Sequence, residues 1–217
     1  MCGRFNLRLT PAELQEFFRL VDAPDDLGIR YNIAPTQPIL TIQQREGAPQ
    51  WVTAAWGLRP SWNPAQLLIN ARSETVFETR AFAKSIRERR CLVPASGFYE
   101  WMTISKEKLP YHITQKSGEP LAFAGFCDRE GAVALMTTSP NAEMAEIHDR
   151  MPVILTRPVW EHYLDPAVTD PAEITPLLIP LPDDSLSLTP VDPVVNNARN
   201  ETPDCLRRVP RTGGTLF

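Results

Sequence analysis

Long hydrophobic runs are missing from this chain. No apolar stretch is long enough to cross a bilayer as a helix. No basic segment followed by an apolar one opens it, so a secretory signal is not expected either. The expected compartment is therefore cytoplasmic, with no membrane partner. An excess of positive charge is also missing: 22 Lys and Arg stand against 26 Asp and Glu, for a net charge of −4. A protein that holds long duplex by charge alone would be basic, so nucleic-acid contact would have to come from a local patch. Closely spaced cysteines are absent too. The four are Cys2, Cys91, Cys127 and Cys205; none forms a CxxC knuckle, so no metal site is expected. A cytosolic setting argues against disulfides. Repeats, low-complexity segments and interdomain linkers are lacking. The 217 residues read as one domain, with a loosely held tail from about residue 206. Nothing implies an organic cofactor, and without a coiled-coil signal a monomer is expected.

Proline is abundant: 22 residues, about twice the usual share of roughly 5%. That favours turns, edge strands and irregular stretches over a helix bundle. One helix is well signalled, in "LTPAELQEFFRLV". Thr10 can cap it, Pro11 suits its first turn and Glu13 completes a capping box. Leu14, Phe17, Phe18 and Val21 then share a face. Strand-like runs follow: "PILTIQQ", "WVTAAW", "RCLVPAS", "FYEWM", "PYHIT", "LAFAGFC", "AVALMTTS", "MPVILT" and "LSLTPV". Short helical stretches separate some of them: "TRAFAKSIRER", "NAEMAEIHD" and "PVWEHYL". Linkers such as "DREG" and "SKEK" predict hairpins. The expected fold is α+β, a single domain with a distorted antiparallel or mixed β-barrel-like core and a few short helices. Cys91 and Cys127 lie in apolar runs and read as core thiols. Cys205 falls in a polar tail. "RERR", with Arg87, Arg89 and Arg90, reads as a solvated helix face in preference to a phosphate contact.

Four polar stretches stand out: "MCGRF", "LLINARSET", "SGFYEW" and "EIHDRMPV". They place Cys2, Asn70 with Arg72, Glu100, and His148 with Arg150 beside apolar neighbours. Singly, each has a plain explanation. Asn70 suits a turn, Glu100 could face solvent on a half-buried strand, and His148 could serve a helix C-terminus.

Together these stretches resemble the SRAP family, the SOS response-associated peptidases. The resemblance runs from "MCGRF" through "RYNIAPTQ", "WGLRPSW", "INARSET", "CLVPASGFYEW" and "IHDRMPVIL" to "VVNNARNE". It implies an α+β domain with a positively charged groove for single-stranded DNA. It further implies that Met1 is removed, that Cys2 becomes the new N-terminus, and that Cys2 bonds covalently to abasic sites. The adduct would shield the lesion in the DNA damage response, in a protein associated with DNA or the nucleoid. The family name reflects a partly autoproteolytic thiol peptidase activity.

The chemistry of an N-terminal cysteine fits that implication. It is a 1,2-aminothiol, and an opened abasic sugar carries an aldehyde. The amine condenses to an imine, and the thiol closes onto the same carbon to give a thiazolidine. The α-amine titrates near 7.7–8.0 and a free thiol near 8.5, so both nucleophiles are partly available around neutrality, as general values indicate. On the resemblance, Glu100 is the general acid/base, its pKa raised by two aromatic neighbours, and takes part in Met1 removal. His148 is the proton donor for sugar opening or oxyanion stabilisation. Asn70 orients the sugar or the Cys2 backbone. Arg4, Arg72 and Arg150 hold flanking phosphates. Thr137 adds a hydroxyl near the lesion, and Pro35 and Trp62 wedge or stack against unpaired bases. The chain departs from the pattern where Trp62 is followed by Asn63, since many relatives carry a second tryptophan there.

Two other readings remain open at this stage. N-terminal-nucleophile amidotransferases also expose a cysteine followed by glycine, although their N-G-E motif is not found here. A non-covalent single-stranded-DNA-binding module would use Trp62 and the arginines but leave Cys2, Glu100 and His148 without a role.

Overall fold

The computed structural model describes residues 2–26 and 28–210. The strands among them are β1 (Phe5–Leu7), β2 (Arg30–Ile33), β3 (Pro38–Arg45), β4 (Ala48–Ala55), β5 (Asn70–Arg72), β6 (Arg90–Ala95), β7 (Gly97–Ile104), β8 (Glu107–Gln115), β9 (Leu121–Cys127), β10 (Val133–Thr138), β11 (Met151–Pro152) and β12 (Leu186–Pro190). The α-helices are α1 (Pro11–Phe18), α2 (Ala83–Glu88), α3 (Ala142–Ala145), α4 (Trp160–Leu164) and α5 (Pro171–Ile174).

The strands form two sheets. The first runs β12-β8-β7-β1-β2, and the second β11-β10-β9-β6-β3-β4 with β5 paired to β10. Every ladder is antiparallel except β5 with β10. A single parallel bridge between Trp56 and Val133 brings the end of β4 back to β10. The second sheet therefore curls toward its own edge without closing into a barrel. The fold is mixed α+β, as the strand-dense pattern predicts. Core aromatics join the sheets: Phe5 of β1 meets Phe123 of β9 edge-on at 5.8 Å, and Phe98 of β7 meets the same ring at 6.0 Å.

The position of β1 explains why the start of the chain is held. It lies between β7 and β2, pairing Phe5 with Phe98 and with Ile33. The ladder continues backwards, with the Tyr99 N–H donating to Arg4 O at 2.9 Å. A central strand has hydrogen-bond partners on both sides, which suppresses fraying. At the facing end of β7, a Cβ on Gly97 would lie 2.3 Å from His112 Nε2 and 2.7 Å from Ile113 O. Only glycine lets β8 come this close.

The capping box of α1 forms as its sequence predicts. Thr10 Oγ1 accepts from Glu13 N, and Glu13 Oε2 accepts from Thr10 N at 2.8 Å. Leu14 and Phe18 are buried, but Val21 is exposed. The helix ends at Arg19 in a left-handed conformation, so Val21 never reaches the apolar face. Cys91 and Cys127 are core residues, as expected. Cys205 is a correction: it is fully buried beside Tyr99, Val191 and Val195, because the polar segment around it folds back over β7. Arg90 is another. It is buried, and its guanidinium donates to the carbonyls of Tyr163, Ile86, Arg87, Asp165 and Val168. The last arginine of "RERR" thus caps helix ends inside the protein. Within the expected loose tail, Asp192 N donates to Arg207 O at 2.9 Å and Val209 N to Pro190 O at 3.1 Å. Residues 211–217 lie outside the described residues. No helix among the described residues is long and apolar enough to cross a membrane.

Candidate functional site

β1 and β7 of the first sheet and β5 of the second bring three polar groups together. Cys2, just before β1, is 0% exposed. Its thiol is pushed well above the ordinary cysteine value, first by burial and then by the nearby Glu100 carboxylate. Asn70 opens β5, the strand held in parallel register with β10, and its Nδ2 donates to Cys2 O at 2.8 Å. Asn70 Oδ1 is buried with no hydrogen-bond partner among the described residues. That leaves an acceptor next to Cys2 for an incoming N–H or O–H.

Glu100 sits in β7 opposite Tyr111 and is only 3% exposed. The solvent-facing reading of this residue is therefore excluded. It shares its strand face with Phe98, two residues earlier. Glu100 also lines an open groove of about 570 Å³ with Trp101, Thr103, Lys108, His148 and Asn196. His148 follows α3. Its Nδ1 lies 3.0 Å from the Arg150 backbone nitrogen, a contact that suits an unprotonated Nδ1. Asp149 Oδ1 is 2.8 Å from the same Nδ1, placed to accept from an Nδ1–H. Glu100 and His148, far apart in sequence, thus line one groove, while Cys2 and Asn70 are bonded to each other beneath the surface, with Cys2 within electrostatic reach of Glu100.

The arginines differ from one another. Arg4 is half-buried and donates through Nη1 to Asn32 Oδ1 at 2.7 Å and Val195 O at 2.9 Å. Its guanidinium lies 5.8 Å from the Trp101 ring centroid. Arg150 is already forked onto Glu74, with Nη1 at 2.6 Å and Nη2 at 2.8 Å, and Nη2 also reaches Thr137 O at 2.8 Å. A phosphate would have to share or displace that carboxylate. Arg72 is exposed at the end of β5. Thr137 is fully buried, its hydroxyl donating to Ala71 O at 3.3 Å, so here it links β10 to β5.

Pro35 is half-buried at a turn pinned by Thr36 N donating to Trp56 O at 2.7 Å. Thr36 has φ +73°, a left-handed conformation that a β-branched residue adopts only where its surroundings enforce it. Trp62 is 51% exposed with the Arg80 guanidinium 4.7 Å above its ring. Sequence reasoning overlooked Asn32, Glu74, Trp101 and Asn196 as members of this network. All four lie inside stretches that carry the family resemblance, and only their partners reveal what they do. A separate cavity of about 480 Å³ lies between α1 and α4, lined by Phe18, Leu20 and Trp160 among others. It holds no cysteine or histidine. No group of three or more His, Cys, Asp or Glu residues that could hold a metal occurs among the described residues.

Comparison with known proteins identifies the family and the fold. Residues 1–198 match the family model described as SOS response associated peptidase (SRAP). The abasic site processing protein YoqW of Bacillus subtilis is 37% identical over 221 residues, which span 95% of this chain and 99% of that one. The abasic site processing protein HMCES of Rattus norvegicus is 33% identical over 194 residues, covering 70% of this chain and 54% of that one. A crystal structure of a protein from Bacteroides thetaiotaomicron superposes with a TM-score of 0.80 at 23% identity, covering 96% of this chain and all of the other, and so shares the fold. With its matching model spanning nearly the whole sequence, the chain belongs to the SOS response associated peptidase (SRAP) family.

Proposed function

We propose that this protein captures abasic sites in single-stranded DNA through Cys2, once Met1 has been removed, and shields the lesion as a covalent thiazolidine. The carrying observation is the position of Cys2: its carbonyl is held by Asn70, and its thiol feels the buried Glu100 carboxylate. Relatives named as abasic site processing proteins support the choice of substrate.

The order of steps follows from the thiol. A thiol held protonated by burial is a poor first nucleophile, so the α-amine attacks the aldehyde first. The carbinolamine loses water to give an iminium. That cation sits next to the thiol and favours its ionisation, with Glu100 accepting the proton. The thiolate adds to the iminium carbon and closes the five-membered ring, so the sequence releases one water overall. His148, on the wall of the groove, protonates the ring oxygen as the sugar opens. Removal of Met1 is a hydrolysis in which the same Glu100 can move protons. The protein acts as a DNA-associated cytoplasmic monomer without metal or cofactor.

The test is intact mass, taken before and after incubation with a single-stranded oligonucleotide carrying an abasic site. The expected product is the chain without Met1 plus the oligonucleotide minus water, stable to heat. Cys2→Ala should form none. A heat-stable adduct at full yield in Cys2→Ala would overturn the mechanism.

A further inference from the structure

The segment 193–201 carries "VVNNARNE" without "VV" at a strand position, and nothing in the proposed chemistry uses it directly. Its packing is nevertheless specific. Asn32, in β2, is fully buried, and a buried amide has to find partners for both ends. Its Nδ2 donates to the carbonyls of Asn200 at 2.9 Å, Asn197 at 3.1 Å and Val195 at 3.2 Å. The irregular segment is wrapped around this one side chain. The Asn32 Oδ1 accepts from Arg4 Nη1 at 2.7 Å, and Val195 O accepts from the same Nη1 at 2.9 Å. Within the wrapped segment, Asn196 Oδ1 accepts the Trp101 indole N–H at 2.7 Å. The end of the segment is fixed by Glu201, whose carboxylate accepts from the Tyr31 and Asn32 N–H groups and from Arg30 Nε.

The charge pattern says why this residue is an amide. Arg30 is paired with Glu201 and Arg150 with Glu74. Arg4 has no carboxylate partner among the described residues; its orienting acceptors are a neutral amide and a carbonyl. An aspartate at position 32 would neutralise Arg4 and offer no donor to the three carbonyls.

We propose that Asn32 is a positioning residue that holds Arg4, its full charge intact, against the Trp101 wall of the groove and, through segment 193–201, fixes Trp101 beside Glu100. The DNA half of this inference rests on the proposed function; the positioning half does not.

The experiment has two readouts. In the DNA-free protein, the Trp101 indole N–H resonance is assigned by its loss in Trp101→Phe. Asn196→Ala, at an exposed position, should shift it by removing its acceptor, and Asn32→Asp should shift it through the segment. An unmoved resonance in folded Asn32→Asp overturns the positioning role. If Asn32→Asp does not fold, an unmoved resonance in Asn196→Ala overturns it instead. The second readout is affinity for undamaged single-stranded oligothymidylate as a function of salt. Asn32→Asp should weaken binding by about tenfold, the size of one charge-assisted hydrogen bond. It should lower the slope of log affinity against log salt by about one. Combined with Arg4→Ala, it should add nothing further. Full additivity of the two substitutions overturns the charge argument. If the unaltered protein binds no single-stranded DNA, the proposed function fails, and the indole resonance alone decides the role of Asn32.

Discussion

At the scale of single residues, the candidate site raises the cost of charge on its thiol. Burial and Glu100 both hold the Cys2 thiol in its neutral form, so in the proposed mechanism the amine leads and the thiol follows. This order predicts a specific behaviour for Cys2→Ser. The amine remains and should still give an imine that borohydride traps, but the weaker hydroxyl nucleophile should leave almost no adduct that survives heat without reduction. A heat-stable unreduced adduct in Cys2→Ser would refute ring closure by sulfur.

His112 gives a second residue-scale prediction. Its ring is pushed down from 6.5 to about 3, first by burial and then by the cations Arg8 and Arg208. The unfolded chain takes up this proton below pH 6.5, and the folded protein does so only near pH 3. The unfolded state therefore binds more protons in that window, and stability falls as pH is lowered through it. Between pH 6.5 and 5, this group should remove about 2 kcal/mol of stability. Urea unfolding at the two values should show that loss, and His112→Gln should show a flatter dependence whatever its absolute stability. Equal pH dependence in the two proteins would mean that His112 is not buried neutral.

At the scale of elements, short strands do the positioning. β1, β2 and β5 hold three or four residues each, and they carry or adjoin Cys2, Arg4, Asn32, Asn70 and Arg72. None of the three is expected from the sequence, because a strand this short has no room for an alternating pattern. The long strands β3, β6, β7, β8, β9 and β10 are legible because each carries β-branched or aromatic residues between turn signals. α1 is legible from its capping box and misjudged only at Val21, beyond the left-handed Arg19. The closeness of β7 and β8 at Gly97 makes a further prediction. Gly97→Ala would press a methyl group against His112 Nε2 and a backbone carbonyl. Neither can move freely inside the Asn6, Tyr99 and His112 contacts. Overpacking of this kind costs about 1–3 kcal/mol, and a chemical-denaturation midpoint unchanged from the parent would show that the strands can part.

At the scale of the whole molecule, the net charge of −4 limits what the surface can do. Binding to undamaged single strands should be weak and confined to the groove cations, because the body of the protein repels phosphate. Covalent capture should survive salt once formed, while its rate should fall as salt rises. A capture rate independent of ionic strength from 50 to 500 mM, on the order of a threefold change in screening length, would show that charge plays no part in recruitment. Light scattering of the DNA-free protein is expected to report the mass of one chain.

The sequence by itself determined the chemical identity of the parts: a cysteine beside the initiating methionine, a carboxylate between aromatics, an asparagine and a histidine in recurrent company. It also determined the fold class, since strand and helix signals are local. It could not say that Glu100 is buried, that the fork of Arg150 already holds Glu74, that Cys205 and Arg90 are interior, or that Asn32 gathers three distant carbonyls. Those facts depend on pairings across tens to hundreds of residues, where hydrogen bonds and charge compensation are settled by which groups meet. Residue type sets what a side chain is able to do; the tertiary structure decided which partner holds it, and therefore which of those abilities is left for function.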